Sequence, residues 1–399
     1  MEYKGLHIKI YVFNVTNGEE FLSGEDHKLK IQEVGPFVYQ EYRKNKDIEI
    51  LPEEGILRYT SNMWAQFVPE ESVGDPKEVV LNLPNMPLLG ITAMLSEFSP
   101  IIRNVYNLIT LQQNAKPFVL KDVHSYLWNY TDPLVSAANK LIPGFIYFEN
   151  IGILERLYDK NMIYRMELGA TEEDKFQIKW VDKRMRARNT FFSTSMMESN
   201  RTYADTYEGM GYPPNLPPSA PRHIYRPGIC RTVEMEYIGS SMMDINTEGY
   251  KFDFNKRTFE NKYLCDSKGY CPDGLLDLSE CFFGIPVTLS RGHFNNSDPR
   301  LFDRIEGLSP DSGEHESCFY IEPKVGLIIE GKTSLQMNMV MRDVKYSSRV
   351  HRFTDMVLPM AHARVKTPPL PDLVQTKLEL LFITCYKVQK VMVGTTTDS

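Results

Sequence analysis

No run of 18 uninterrupted apolar residues occurs in the 399-residue chain, so no helix is expected to cross a bilayer alone. The nearest approach, Leu373 to Val393, is broken by Lys377, Glu379, Lys387 and Lys390. Each such charge costs about 3 kcal/mol at the centre of a membrane helix. The opening residues, Met1-Glu2-Tyr3-Lys4-Gly5, have no apolar run behind them and do not read as a secretory signal. Positive charge is in the minority, with 45 Lys and Arg against 52 Asp and Glu and a net charge of −7. Without a long basic stripe, nucleic acid is not expected as a partner.

The usual catalytic signatures are missing too. The eight histidines are scattered, and His315-Glu316 lacks the second His of a zinc-protease motif. Gly307-Leu-Ser309-Pro-Asp311 lacks the final glycine of a nucleophile elbow. Gly209-Met-Gly211 runs into prolines rather than a helix, and no phosphate loop is present. Pairs such as Glu172-Glu173 sit in polar stretches and read as solvated turns. No catalytic residue, metal or cofactor is therefore expected, and the chain reads as a non-enzyme. A secreted hydrolase, its Ser, His and Asp brought together from afar, is the competing class.

Cysteine is sparse but clustered: Cys230, Cys265, Cys271 and Cys281 lie close together, with Cys318 and Cys385 further on. Cys265 and Cys271 have no nearby His pair, which favours a disulfide over zinc. Four glycosylation sequons begin at Asn14, Asn129, Asn200 and Asn295. Together these point to an oxidising lumenal or extracellular setting. That setting conflicts with the absent signal, and an upstream segment outside this chain resolves the conflict.

Length alone suggests two to three domains, or one large β-rich domain. Alternation at period two marks half-buried antiparallel strands. It occurs at Leu6, Ile8, Ile10 and Val12, and at Phe176, Ile178 and Trp180. It recurs at Val233, Met235 and Tyr237, at Ile285, Val287 and Leu289, and from Leu335 to Met341. Strands at both ends and in the middle predict one large sheet or barrel. From Pro87 to Gln113 the spacing turns helical, with one stripe at Leu88, Ile91, Leu95 and Phe98. Ser99 then serves as N-cap and Pro100 as first-turn residue of a second helix. Its stripe is Ile101, Val105 and Leu108, flanked by Ile102, Tyr106 and Ile109. A third helix is expected at 120–128 and a fourth at 373–393.

Residues 211–222 hold five prolines and read as an extended loop. Lys183 to Arg188 carries four positive charges. The plain reading is a solvated strand face; the functional one is a patch for anionic lipid. Leu89, Met94 and Ile102 fall off the main helical stripes, and apolar surface exposed there would imply lipid or protein contact.

Several segments resemble the class B scavenger receptor family. They are Tyr11-Val-Phe-Asn-Val-Thr-Asn-Gly with Val34-Gly35-Pro36-Phe37-Val38-Tyr39, and Leu127-Trp128-Asn129-Tyr130-Thr131-Asp132-Pro133. Further on come Asp273-Gly274 through Cys281, Gly284-Ile-Pro286, His293-Phe294, Gly307 to His315 and Ile321-Glu322-Pro323. The match runs in order from about residue 8 to 365.

The resemblance implies an α+β, mainly β fold: a large antiparallel β-barrel body, an apical helical bundle at about 86–130, and an internal tunnel for lipid. Residues 1–372 would form a single ectodomain between two membrane anchors missing from this chain, with 373–399 a C-terminal helix or tail, the juxtamembrane remnant. It implies the bridges Cys230–Cys281 and Cys265–Cys271 and leaves Cys318 and Cys385 unassigned. The implied ligand face uses Leu89, Ile91, Met94, Phe98, Ile102, Val105, Tyr106, Ile109, Lys116 and Lys121. Expected ligands are lipids, sterols or lipoprotein particles, at the plasma membrane or in endosomes and lysosomes. A sorting receptor holding protein cargo on the same helices is the alternative. The pH-sensing histidine of the lysosomal branch has no counterpart between 87 and 113; His124 is the nearest.

Overall fold

The computed structural model describes residues 2–141, 151–158, 162–185, 203–209, 211–243, 247–260, 272–282 and 284–384. The predicted Cys265–Cys271 bridge, Asn200, Cys385 and Arg186 to Arg188 lie outside the described residues.

The expected barrel is present as one 15-stranded sheet, and its long strands follow the alternation in the sequence. At its centre β1 (Glu2–Val15) pairs antiparallel with β2 (Leu29–Leu51) and with β17 (Met356–Lys366). Ile8, Ile10 and Val12 of β1 all point into the core. On one side β2 leads to β3 (Ile56–Phe67), β6 (Met162–Gly169) and β7 (Ile178–Met185). On the other, β17 leads to β16 (Leu327–Met341), β15 (Cys318–Glu322) and β11 (Glu248–Phe254). The path continues through β10 (Arg231–Met242) and β9 (His223–Arg226) to β8 (Thr206–Tyr207). A bridge between Gln177 and Tyr207 brings the two ends together, so the sheet is nearly closed.

One predicted strand face is corrected. Ile178 is buried, but Trp180 is 42% exposed. The pairing shifts between Glu167 and Leu168 of β6, so that Glu167 faces Trp180 and Leu168 faces Ile178. A bulge of this kind adds a residue and turns the following side chains to the opposite face. Val181 is then buried in place of Trp180.

Across the interior, β2 meets β8 and β9 through charge. Arg43 Nε donates to Glu41 Oε1 at 2.6 Å, and its Nη1 donates to Glu208 Oε1 at 2.9 Å. Tyr59 Oη donates to the other Glu208 oxygen at 2.5 Å, and Tyr158 Oη donates to Glu41 Oε2 at 2.9 Å. Both Glu41 and Arg43 are 2% exposed. Burial alone would push the Glu41 carboxyl up; the Arg43 and Arg226 charges outweigh it and hold it below its ordinary range. These strands are not neighbours in the sheet, so the network is a cross-brace inside the barrel.

Cys230 and Cys281 are bridged, with Cα atoms 5.8 Å apart. The bridge ties the start of β10 to a 3₁₀ turn, Ser279–Phe282, across a separation of 51 residues. Cys230→Ser is expected to lower the unfolding free energy by about 2–5 kcal/mol, read from the urea midpoint of the variant against the parent. Cys318 is a free, buried cysteine.

Candidate ligand-binding face

Most of the helices are inserted in the chain between β3 and β6. Strands β4 (Val80–Pro84) and β5 (Phe118–Asp122) form a separate two-stranded base for them. After α1 (Gly18–Ser23) come α2 (Met86–Leu95) and α3 (Pro100–Gln112), meeting near Ser99-Pro100 as the spacing predicts. The expected helix at 120–128 is corrected: residues up to Asp122 belong to β5, and α4 covers only Val123–Trp128. Lys121 therefore stands on a strand, paired across from Leu81. The reason is local: Asp122 caps α4 by accepting from the Ser125 amide at 2.8 Å, so no helix forms before it. Helices α5 (Pro133–Leu141) and α6 (Ile153–Leu157) complete the group.

α2 is apolar all round, and every one of its residues is buried. Such a helix belongs to a core. Asn85 caps it, its Oδ1 accepting from the Leu88 amide at 3.1 Å. Gly90 lets it approach the sheet, because a Cβ there would come within 2.8 Å of Ile285 and 3.1 Å of Met339. Leu89, Ile91 and Met94 are consequently core side chains under the apex, each at most 5% exposed. Leu89 and Met94 fall off the stripe and are buried all the same, because this helix has no solvent face.

α3 behaves differently. It is amphipathic, but its inner face is narrow: Tyr106 and Thr110 are buried. Phe98, Ile102 and Ile109 are half-buried against the core. Its outer face is apolar as well. Ile101 is 75% exposed, Leu108 65%, Leu111 41% and Val105 38%. Residues 101, 105 and 108 lie four and then three apart, so they share one face of the helix. Leu120 on β5 adds a further exposed apolar side chain.

Three cations belong to this part of the chain. Lys116 is exposed just beyond α3. Lys121 Nζ lies 4.3 Å from the centre of the Tyr130 ring, and Arg103 stands over Tyr346. The loop joining β16 to β17 ties down α2 and both ends of the α3 segment. Tyr346 Oη donates to the Thr92 carbonyl at 2.6 Å, and Arg349 Nη2 donates to Asn114 Oδ1 at 3.1 Å. Arg342 pairs with Glu97 at 2.8 Å. A firmly held helix with apolar side chains outward and cations at its edges can lie on an anionic, apolar-cored surface.

Of the ten residues named for this face, only Val105 and Lys116 are exposed; Tyr106 is buried and Lys121 half-buried. Ile101, Leu108 and Leu111 were not among the ten, although Ile101 and Leu108 lie on the stripe the spacing gave. Of the sequons, Asn129 is exposed and Asn14 half-buried, its Oδ1 accepting from the Asn82 amide. Asn295 is 6% exposed, with Nδ2 buried and unpaired. Three histidines far apart in the chain, His293, His315 and His362, converge inside the barrel wall.

The profile of the CD36 family matches residues 4–396. The chain belongs to the CD36 family. Scavenger receptor class B member 1 of Rattus norvegicus is 26% identical over 362 residues, covering 89% of this chain and 69% of the relative. Lysosome membrane protein 2 of Mus musculus is 28% identical over 371 residues, covering 90% of this chain and 73% of the relative. As a CD36-family protein the chain has the role of a class B receptor associated with a membrane. Among the described residues no helix is long and apolar enough to cross a bilayer.

Proposed function

We propose that the outer face of α3 docks on lipoprotein or anionic lipid surfaces, and that residues 1–372 act as one ectodomain that receives lipid there and passes it through the interior. The observation that supports this reading is the exposed apolar stripe at Ile101, Val105 and Leu108, with an exposed Lys116 a few residues beyond the helix. Apolar transfer supplies roughly 25 cal/mol per Å² of side-chain surface covered, and the cations select anionic surfaces. No covalent step enters the reading.

Flotation with phosphatidylserine vesicles tests the docking. Lys116→Glu should weaken binding several-fold and flatten its salt dependence; unchanged binding removes the cationic edge from the account. Native mass spectrometry tests the passage. Co-purified lipid is expected, and delipidated protein that takes up neither fatty acid nor sterol counts against it. Binding to a protein cargo that lipid vesicles do not displace would favour the sorting-receptor alternative.

A further inference from the structure

His293, His315 and His362 are buried, with one nitrogen of each lying within 4.8 Å of the others. Glu33 closes the group from β2. Its Oε1 lies 3.0 Å from His293 Nε2 and 2.7 Å from His362 Nδ1. Backbone strain marks the place: His293 and Phe294 have φ of 50° and 55°, which non-glycine residues adopt at a cost. Gly292 is needed beside them, since a Cβ would come within 2.3 Å of Ser334 Oγ and 2.7 Å of His362 Nε2.

Three imidazoles and a carboxylate suggest a metal ion, but the hydrogen bonds exclude one in this arrangement. The Ser309 amide donates to His293 Nδ1 at 3.1 Å, and the Asp311 amide donates to His315 Nδ1 at 3.0 Å. Each of these nitrogens is therefore bare, so each neutral ring bears its proton on Nε2. A metal would need a lone pair there. The two rings also stack at 4.4 Å, only 8° from parallel, so they cannot share an ion in both planes. The centre holds N–H donors instead. Glu33 accepts two of them, and His315 Nε2 is buried without a partner.

This arrangement determines where a further proton goes. His362 takes one on Nε2, facing the rotatable Ser334 hydroxyl at 2.7 Å. His293 and His315 can take one only on Nδ1, where a backbone N–H already points. An N–H would then face an N–H, and the bond is lost. Both donors belong to one stretch, residues 307–316, which crosses the surface and includes α7 (Ser312–His315). Among its described side chains only His315 is buried.

We propose that residues 307–316 form an acid-released clip: protonation of His315 at Nδ1 breaks its bond from the Asp311 amide and loosens the stretch from the barrel wall. The surrounding charges fit this direction. Burial, then the neighbouring imidazoles, hold His315 down at about 4. Burial also lowers His362 despite Glu33. Burial alone would raise Glu33, but the hydrogen bonds from His293 and His362 hold it at about 2, so it remains the anion throughout. Outside the cluster, Arg364 pairs with Glu314 at 2.7 Å, Tyr11 stacks on His362, and Asp311 caps α7. Because the closed state holds His315 below its ordinary 6.5, the clip is fully closed above that pH. It loosens as pH falls from there toward about 4.

Hydrogen exchange of the whole chain, corrected for intrinsic rates, tests this at about pH 7 and about pH 4.5. Amides of 307–316 should lose protection about ten-fold or more at the lower pH while those of β1 and β17 do not. In His315→Asn, the Asn oxygen replaces Nδ1 as acceptor but does not titrate. This variant should stay protected at both pH values. Equal protection of the parent stretch at both pH values overturns the proposal, and this reading does not depend on the variant folding. Equal acid release in the variant also overturns it. So does protection gained on adding Zn²⁺ and reversed by chelation.

Discussion

Ile101→Asp combined with Leu108→Asp should abolish binding to phosphatidylserine vesicles while leaving the fold intact. The two side chains are 75% and 65% exposed, so their loss removes little from the core. Covering each against an apolar surface yields about 1.5–3 kcal/mol, and the new carboxylates add repulsion from anionic headgroups. The expected loss in affinity is a hundred-fold or more at about 1.4 kcal/mol per decade. The urea midpoint should move little, because surface changes of this kind stay within about 0.5 kcal/mol. Vesicle flotation and denaturation on the same preparation check both halves. The same change at Leu89, which is 1% exposed, should unfold the apex instead. That contrast separates a docking face from a core face.

Arg43→Ala should be the most damaging single change in the barrel. It removes the cation shared by Glu41 and Glu208 and leaves two carboxylates buried without it. Breaking such a group by removing one partner costs about 3–5 kcal/mol. Acid should partly rescue the variant. In the parent, Glu41 is held below its ordinary pKa, so its contribution is present above 4.5 and is lost as pH falls through the lowered value. In the variant Glu41 keeps the more distant Arg226 and the Tyr158 hydroxyl, takes up a proton more readily, and the deficit narrows toward low pH. Replacing Glu41 and Glu208 by Gln in the Arg43→Ala background should recover part of the loss. Urea midpoints of parent, single and triple variants at neutral and acid pH check this.

The long strands were legible because one side faces a core: Ile8, Ile10 and Val12 alternate in the sequence and are all buried. The β7 face was not, because a bulge spoils the two-residue period at Trp180 and nothing local announces it. Both apical helices were legible from spacing and from Ser99-Pro100. Which face met solvent was not. α2 has no polar side, so its burial depends on the sheet under Gly90, and α3 has apolar residues on both faces. A stripe at helical spacing shows that a helix forms; only packing shows whether the stripe points in or out. The histidine cluster had no sequence signal at all. His293, His315 and His362 meet only after β13 (Val287–Arg291), β16 and β17 have paired.

Hydrogen exchange of the chain with and without phosphatidylserine vesicles tests the docking face most directly. Added protection is expected at residues 100–113 and around Leu120, lost at high salt and absent with neutral vesicles. Protection confined to another part of the barrel, with α3 exchanging at its free rate, would contradict it.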